Sequence, residues 1–200
     1  MTASSVFAGG IVSYTTNAAG SEFVGGVNST ILNSSAGQAA TLTFTGNVSS
    51  GTGVPSNINL GDFLLACPTC TTAQSTTFGA FVFDLVVTDT TDGATGQFVG
   101  TSTGGTVSIN SSTIQIDWTS PTPLQLGPGT LGAISGNFGS SIFGKNTSIS
   151  SIVAPNSGGN PGDTTVQGQI TQTPEPAAVS LFGSALIGMA LLGRKKSSAK

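Results

Sequence analysis

Phe81-Val82-Phe83-Asp84-Leu85-Val86-Val87 is the stretch whose pattern settles the class of fold. Phe81, Phe83, Leu85 and Val87 share one face of an extended chain, because side chains alternate with a period of two. The opposite face, Val82, Asp84 and Val86, is also mostly apolar, which is the mark of a central strand. Asp92-Gly93 then signals a turn, and Gln97-Phe98-Val99 reads as the next strand. Upstream, Thr41-Leu42-Thr43-Phe44-Thr45 alternates, with Leu42 and Phe44 inward and the threonines outward. Downstream, Thr106–Ile109 and Thr113–Trp118 flank Asn110-Ser111-Ser112 as a hairpin with a three-residue loop, Val107 and Ile109 sharing a layer with Ile114, Ile116 and Trp118. Further strands are expected over 148–153 and 165–170, with 155–163 as a loop and Thr171-Gln172-Thr173 as a tether. No helical period occurs before residue 174. Short strands, frequent glycine and no helix predict an all-β chain: a single β-sandwich domain over residues 9–171. A β-solenoid is the alternative, but no repeat of about 20 residues recurs.

Composition narrows the setting. Charged residues make up 6% of the chain, against roughly 25% in an average soluble domain. Over residues 1–173 the carboxylates are Glu22, Asp62, Asp84, Asp89, Asp92, Asp117 and Asp163, and the one base is Lys145, a net charge of −6. No basic patch can form, so nucleic acid is excluded as a partner. A hydrophobic content of 37% with eleven Phe is enough to build a core, and argues against a disordered polar tract.

The C-terminus is organised differently. Pro174-Glu175-Pro176 is followed by an uncharged apolar run, Ala177–Gly193, and then by Arg194-Lys195-Lys196. As a helix the run would span roughly 25 Å, at the short end of what crosses a bilayer. Its Gly183, Ser184, Ala185, Gly188 and Ala190 suit a membrane span better than a soluble helix. The basic cluster is expected on the cytoplasmic side, with the body of the chain on the exported side.

These three parts, in this order, resemble the PEP-CTERM sorting signal of Gram-negative bacterial surface proteins. The resemblance covers residues 174–196 and neighbouring positions and says nothing about the body; Thr173 stands where that family often has Val or Ile. The same signature is also called the C-terminal domain of ice-binding proteins, a label for the tail and not an activity. The resemblance implies recognition by exosortase, a membrane transpeptidase-like cysteine enzyme, with processing near Pro174-Glu175-Pro176. It further implies a stay in the inner membrane before release to the cell surface, often where exopolysaccharide is made. Export calls for a leader, and residues 1–8 lack a basic region and an apolar core. Val6-Phe7-Ala8 has the small-residue pattern of a cleavage site. Residues 1–8 are therefore expected to be the remnant of a signal peptide encoded by a longer reading frame.

Two further features offer chemistry. Cys67-Pro68-Thr69-Cys70 could be a redox pair, half of a zinc site or a local disulfide. Zinc needs about four ligands, and the chain has no other Cys and no His. A thiol of lowered pKa wants a helix N-terminus, and Thr71–Ser75 reads as loop. In an oxidising compartment a Cys67–Cys70 disulfide is the expected outcome, pinning a loop and not the fold. Asp89-Thr90-Thr91-Asp92-Gly93 offers two carboxylates beside a glycine, a weak calcium pattern, or simply a turn with local hydrogen bonds. Asp84 and Asp117 could meet across strands as a glycosidase-style pair. Trp118 is expected in the core. No cofactor and no metal are expected, and no enzymatic activity. The function expected is that of a noncatalytic exported surface or matrix protein associated with exopolysaccharide. A carbohydrate- or ice-binding module is the alternative, and a secreted hydrolase the minor one.

Overall fold

The computed structural model describes residues 11–16, 20–24, 31–54, 56–91, 93–118, 124–126, 129–136 and 149–172. These residues form strands, turns and loops, without a helix. In chain order the strands are β1 (Ile11–Thr15), β2 (Glu22–Val24), β3 (Ile31–Asn33), β4 (Ala36–Gly37), β5 (Thr41–Gly46), β6 (Val48–Gly53) and β7 (Ser56–Ala66). There follow β8 (Thr76–Phe78), β9 (Phe81–Asp89), β10 (Thr95–Ser102), β11 (Gly105–Ser108), β12 (Ser111–Ser112) and β13 (Gln115–Trp118). The last are β14 (Leu124–Leu126), β15 (Gly129–Gly136), β16 (Ile149–Ser151) and β17 (Gly162–Gln172).

Thirteen strands make one large sheet in the order β3-β5-β7-β17-β15-β16-β13-β10-β9-β1-β6, with β14 attached to β15 and β2 to β9. The sheet curls into a half-barrel, so that the β5–β7 side faces the β9–β13 side. Aromatic rings join the two sides: Phe44 on β5 and Phe63 on β7 lie 4.8 and 5.0 Å from Phe83 on β9. Phe23 and Trp118 complete the contacts around Phe83, at 4.9 and 6.3 Å. A second, four-stranded sheet, β12-β11-β8-β4, joins the large one through the two-residue connections from β8 to β9 and from β10 to β11. The ladders are antiparallel except for a single parallel bridge, Gly136 to Ser150. Stacked parallel coils are thus not the architecture, and the solenoid alternative does not describe this chain.

The deciding stretch behaves as its alternation requires. Along β9 the burial runs strictly in alternation, with Phe81, Phe83, Leu85, Val87 and also Asp89 inward. β10 pairs with it from Thr95↔Thr88 to Ser102↔Phe81. Two expectations need correction. The return strand of the β11 hairpin is not 113–118 as a whole: β11 turns back at once through Ile109-Asn110 onto β12, pairing Val107 with Ser112, and the ladder ends at Thr113, whose N–H donates to Thr106 O at 3.0 Å. Asn110 takes the positive φ (62°) that so tight a turn needs. β13 then leaves the small sheet and joins β10, Gly100↔Trp118. Thr171 and Gln172 of the expected tether are sheet, since β17 continues to Gln172 opposite Gly129, while Thr173 lies outside the described residues.

β7 carries the most consequential irregularity. Its partner β17 pairs Val166 with Gly61 and Gln167 with Asn59, so Leu60 is an extra residue, a β-bulge. The bulge exposes carbonyls that close the barrel from the other side: Thr16 Oγ1 donates to Leu60 O (2.7 Å) and Tyr14 Oη to Asn59 O (2.6 Å). Burial and the loss of water push the Tyr14 hydroxyl pKa up, against hydrogen bonding from Asn47 and Ser49 that lowers it. Gly61 sits at φ +126°, and a Cβ there would lie 2.5 Å from the Phe44 ring and 2.6 Å from Thr45 O.

Candidate functional site

Cys67 and Cys70 are joined as a disulfide, their Cα atoms 5.4 Å apart. The bond closes the turn where β7 leaves the large sheet for the small one. Cys70 N donates to Cys67 O at 3.2 Å, and Ala39 N donates to Thr69 Oγ1 at 3.0 Å, tying the turn to the β4–β5 connection. Both cysteines are buried. After them, Gln74 N and Ala73 N donate to Thr71 Oγ1, and Thr71 N to Gln74 O, a compact loop with no helix to lower a thiol pKa. What the bond can do is pin this turn.

Asp84 and Asp117 are not paired. Asp84 stands opposite Val99 and Asp117 opposite Thr101, with β10 between them. Two strand spacings and one two-residue step put their Cα atoms about 12 Å apart, so the two are not strand neighbours. Asp84 instead pairs directly with Glu22 on β2, two like charges side by side on the outer face. On the other outer face Asp62 lies one step from Asp163; loss of hydration, then the charge of Asp62, raises the Asp163 pKa. Among the described residues no three His, Cys, Asp or Glu side chains lie close enough to hold a metal ion.

Asp89 makes the local hydrogen bonds of a turn, as one of its two sequence readings had it, and it is buried as well. It is 1% exposed, at the inward end of β9 opposite Tyr14. Its Oδ1 accepts Thr91 N at 2.7 Å, and its backbone closes the turn with Gly93 N (2.9 Å) and Ala94 O (2.8 Å). Oδ2 is buried and has no partner among the described residues. Asp92 lies outside the described residues. The carboxylate is therefore spent on the local turn, as Asp at such positions commonly is. The signal for its burial was in the pattern: Asp89 continues the odd-numbered inward series begun at Phe81.

Trp118 is 3% exposed and donates its indole N–H to Ser150 Oγ at 2.7 Å. Every described aromatic side chain is buried, so none forms a stacking platform for a sugar. Thr41, Thr43 and Thr45 do share the outer face of β5, but their cross-strand neighbours are Ala66, Leu64 and Asp62, not a threonine array. Pro174, Glu175, Pro176, Arg194, Lys195 and Lys196, with the run 177–193, lie outside the described residues. Among the described residues there is no helix long and apolar enough to cross a membrane.

One feature of the surface was not read from the sequence. The small sheet and the segments around it are built from residues 31–41, 66–80, 102–116 and 149–161, and none of these segments contains a charged residue. The described charged residues, all carboxylates, lie outside these segments: Glu22, Asp62, Asp84, Asp89, Asp117 and Asp163, with Asp117 paired to Ile149 and Asp163 next to Gly162 at their border. The signal was present in the sequence, but only the topology brings the four segments together. Comparison with protein-family models, with curated proteins and with solved structures gives no match for this chain.

Proposed function

We propose that the chain is an exported, noncatalytic surface or matrix protein, a β-sandwich body delivered by a C-terminal sorting tail. The observation that carries this reading is the order of the tail: Pro174-Glu175-Pro176, an uncharged apolar run over 177–193, and Arg194-Lys195-Lys196. That order resembles the PEP-CTERM signal, so exosortase is the processing partner. The run 177–193 is the span that holds the precursor in the inner membrane. The two facing halves of the curled sheet make the body a sandwich in the broad sense. Two features of the body support this reading. It has a disulfide, which persists in oxidising compartments. Its described surface is neutral or acidic, which suits neither nucleic acid nor anionic lipid.

The test is a tagged precursor, with a cleavable signal peptide in front, expressed in a Gram-negative host with and without an exosortase. An epitope inside the 155–161 loop and a second after Lys200 report the body and the tail separately. With the enzyme, the body is expected at the cell surface without the C-terminal epitope. Replacing Pro174-Glu175-Pro176 by three alanines is expected to leave both epitopes together in the inner membrane. Retention of both epitopes in the cytosol, with Cys67 and Cys70 reduced, overturns the reading.

A further inference from the structure

The ladder of β17 runs almost into the sorting motif. Ile170 is paired on both sides, with Ser56 on β7 and Leu131 on β15, and its side chain is fully buried. Beyond it β15 still holds Thr171 opposite Thr130 and Gln172 opposite Gly129. A single residue, Thr173, separates that last pair from Pro174. Proline has no N–H to give to a ladder, so pairing cannot run on through Pro174 and Pro176. The strand therefore ends within one residue of where the motif forces it to end.

On the far side of the motif the apolar run begins at Ala177, which leaves residues 173–176 as all the chain between the sheet and the proposed span. Four residues reach about 14 Å at full extension, and the headgroup layer takes up roughly 5–8 Å of that. An enzyme that cuts a peptide bond holds the chain extended, with main-chain groups on both sides of the bond unpaired and oriented. On the body side of any bond in 174–176, the chain runs straight into residues paired with β15 and, from Ile170, with β7 as well. Freeing that side means unzipping residues 170–172, which draws Ile170 out of the core.

We infer that the C-terminal end of β17 is a latch on processing: the motif is cut in those molecules whose residues 170–172 have left the sheet. This rests on the proposed reading of the tail, and names what regulates the cut. In the step itself one peptide bond at the motif breaks and its nitrogen leaves with the tail as a free amine. The acyl group passes through the enzyme's cysteine thiol to water or to an acceptor amine. Where opening and closing outpace cleavage, the rate follows the population of the open form. The hold of two neighbouring strands on β17, and not the motif alone, then sets how much precursor accumulates in the membrane.

Two measurements on the full precursor test it. The chain has two cysteines, both in the disulfide, so an added thiol is labelled alone. In nonionic detergent, maleimide is expected to label Ile170→Cys at least tenfold more slowly than Thr173→Cys, just past the latch. The second measurement is a pulse-chase of the doubly tagged precursor in the exosortase-bearing host. Six Gly-Ser residues inserted between Gln172 and Thr173 are expected to speed loss of the C-terminal epitope at least threefold. The same six beside the epitope in the 155–161 loop are expected to change nothing. Thr130→Cys with Thr171→Cys, opposed in the ladder, is expected to slow processing at least threefold once the disulfide forms, each single substitution behaving as wild type. Unchanged melting curves verify the fold of each precursor. Equal labelling at 170 and 173, no gain from the linker, or unslowed processing of the locked pair overturns the inference. Normal processing of the wild type with no response to linker or lock removes the latch and leaves the reading of the tail standing. No processing of any precursor, the linker variant included, removes both.

Discussion

At the scale of single residues, Gly61 and Asp163 make the sharpest tests. Gly61 holds a left-handed φ, and added bulk would strike both a ring and a backbone carbonyl. Gly61→Ala is expected to cost about 2–3 kcal/mol, read as a lowered urea midpoint with an unchanged slope. Asp163 tests the electrostatics. Its folded-state pKa is raised, first by lost hydration and then by Asp62, so the charged form is the one the fold disfavours. The cost is present above the folded pKa and is relieved as pH falls through it. Asp163→Asn is therefore expected to raise the melting temperature slightly at pH 7 and to leave it unchanged at pH 3. A shift of the same size at both values would show that charge is not the cause.

At the scale of elements, alternation was legible wherever a strand keeps strict period. β5 and β9 are the clear cases, and Trp118 was placed in the core for the same reason. β7 was missed for a physical reason: the bulge at Leu60 switches the inward set from Ile58 and Leu60 to Phe63 and Leu65, so no single period runs through its length. The β11 turn was misread because Asn110 can adopt positive φ and shorten the loop to two residues. β1, β2 and β3 are short and polar on one side, below the length at which periodicity speaks. The Cys67–Cys70 bond closes so small a loop that chain entropy assigns it about 2 kcal/mol. Reduction is expected to lower the melting temperature modestly while the far-ultraviolet spectrum keeps its β character. Alkylation before reduction is expected to add no mass, because the described cysteines hold no free thiol.

At the scale of the whole molecule, Phe83 is the point where the two sides of the curled sheet meet. Its ring touches Phe23, Phe44, Phe63 and Trp118, which come from four other strands. Phe83→Ala is expected to cost about 3–5 kcal/mol and to loosen both sides together, seen as a single broadened unfolding transition. The composition of the chain showed that charge is scarce. It did not show that the four segments without charge meet around the small sheet, because that depends on long-range pairing between strands far apart in sequence. Both edges of the large sheet are blunted: β3 is three residues long, and β6 is broken by a bulge between its pairings with Tyr14 and Val12. Edge-to-edge stacking is thereby discouraged without lysine or proline on either strand.

The position of β17 has a consequence in time. The last described strand lies inside the large sheet, between β7 and β15, and not at a margin. Until residues 162–172 have been made, β7 and β5 have no β17 ladder to join them to the rest of the sheet, and the barrel wall stays open. At roughly 5–20 residues per second, synthesis from Ile11 to Gln172 takes about 8–32 s. The body is thus built to remain pliable through nearly all of its synthesis and to become rigid only as its tail arrives.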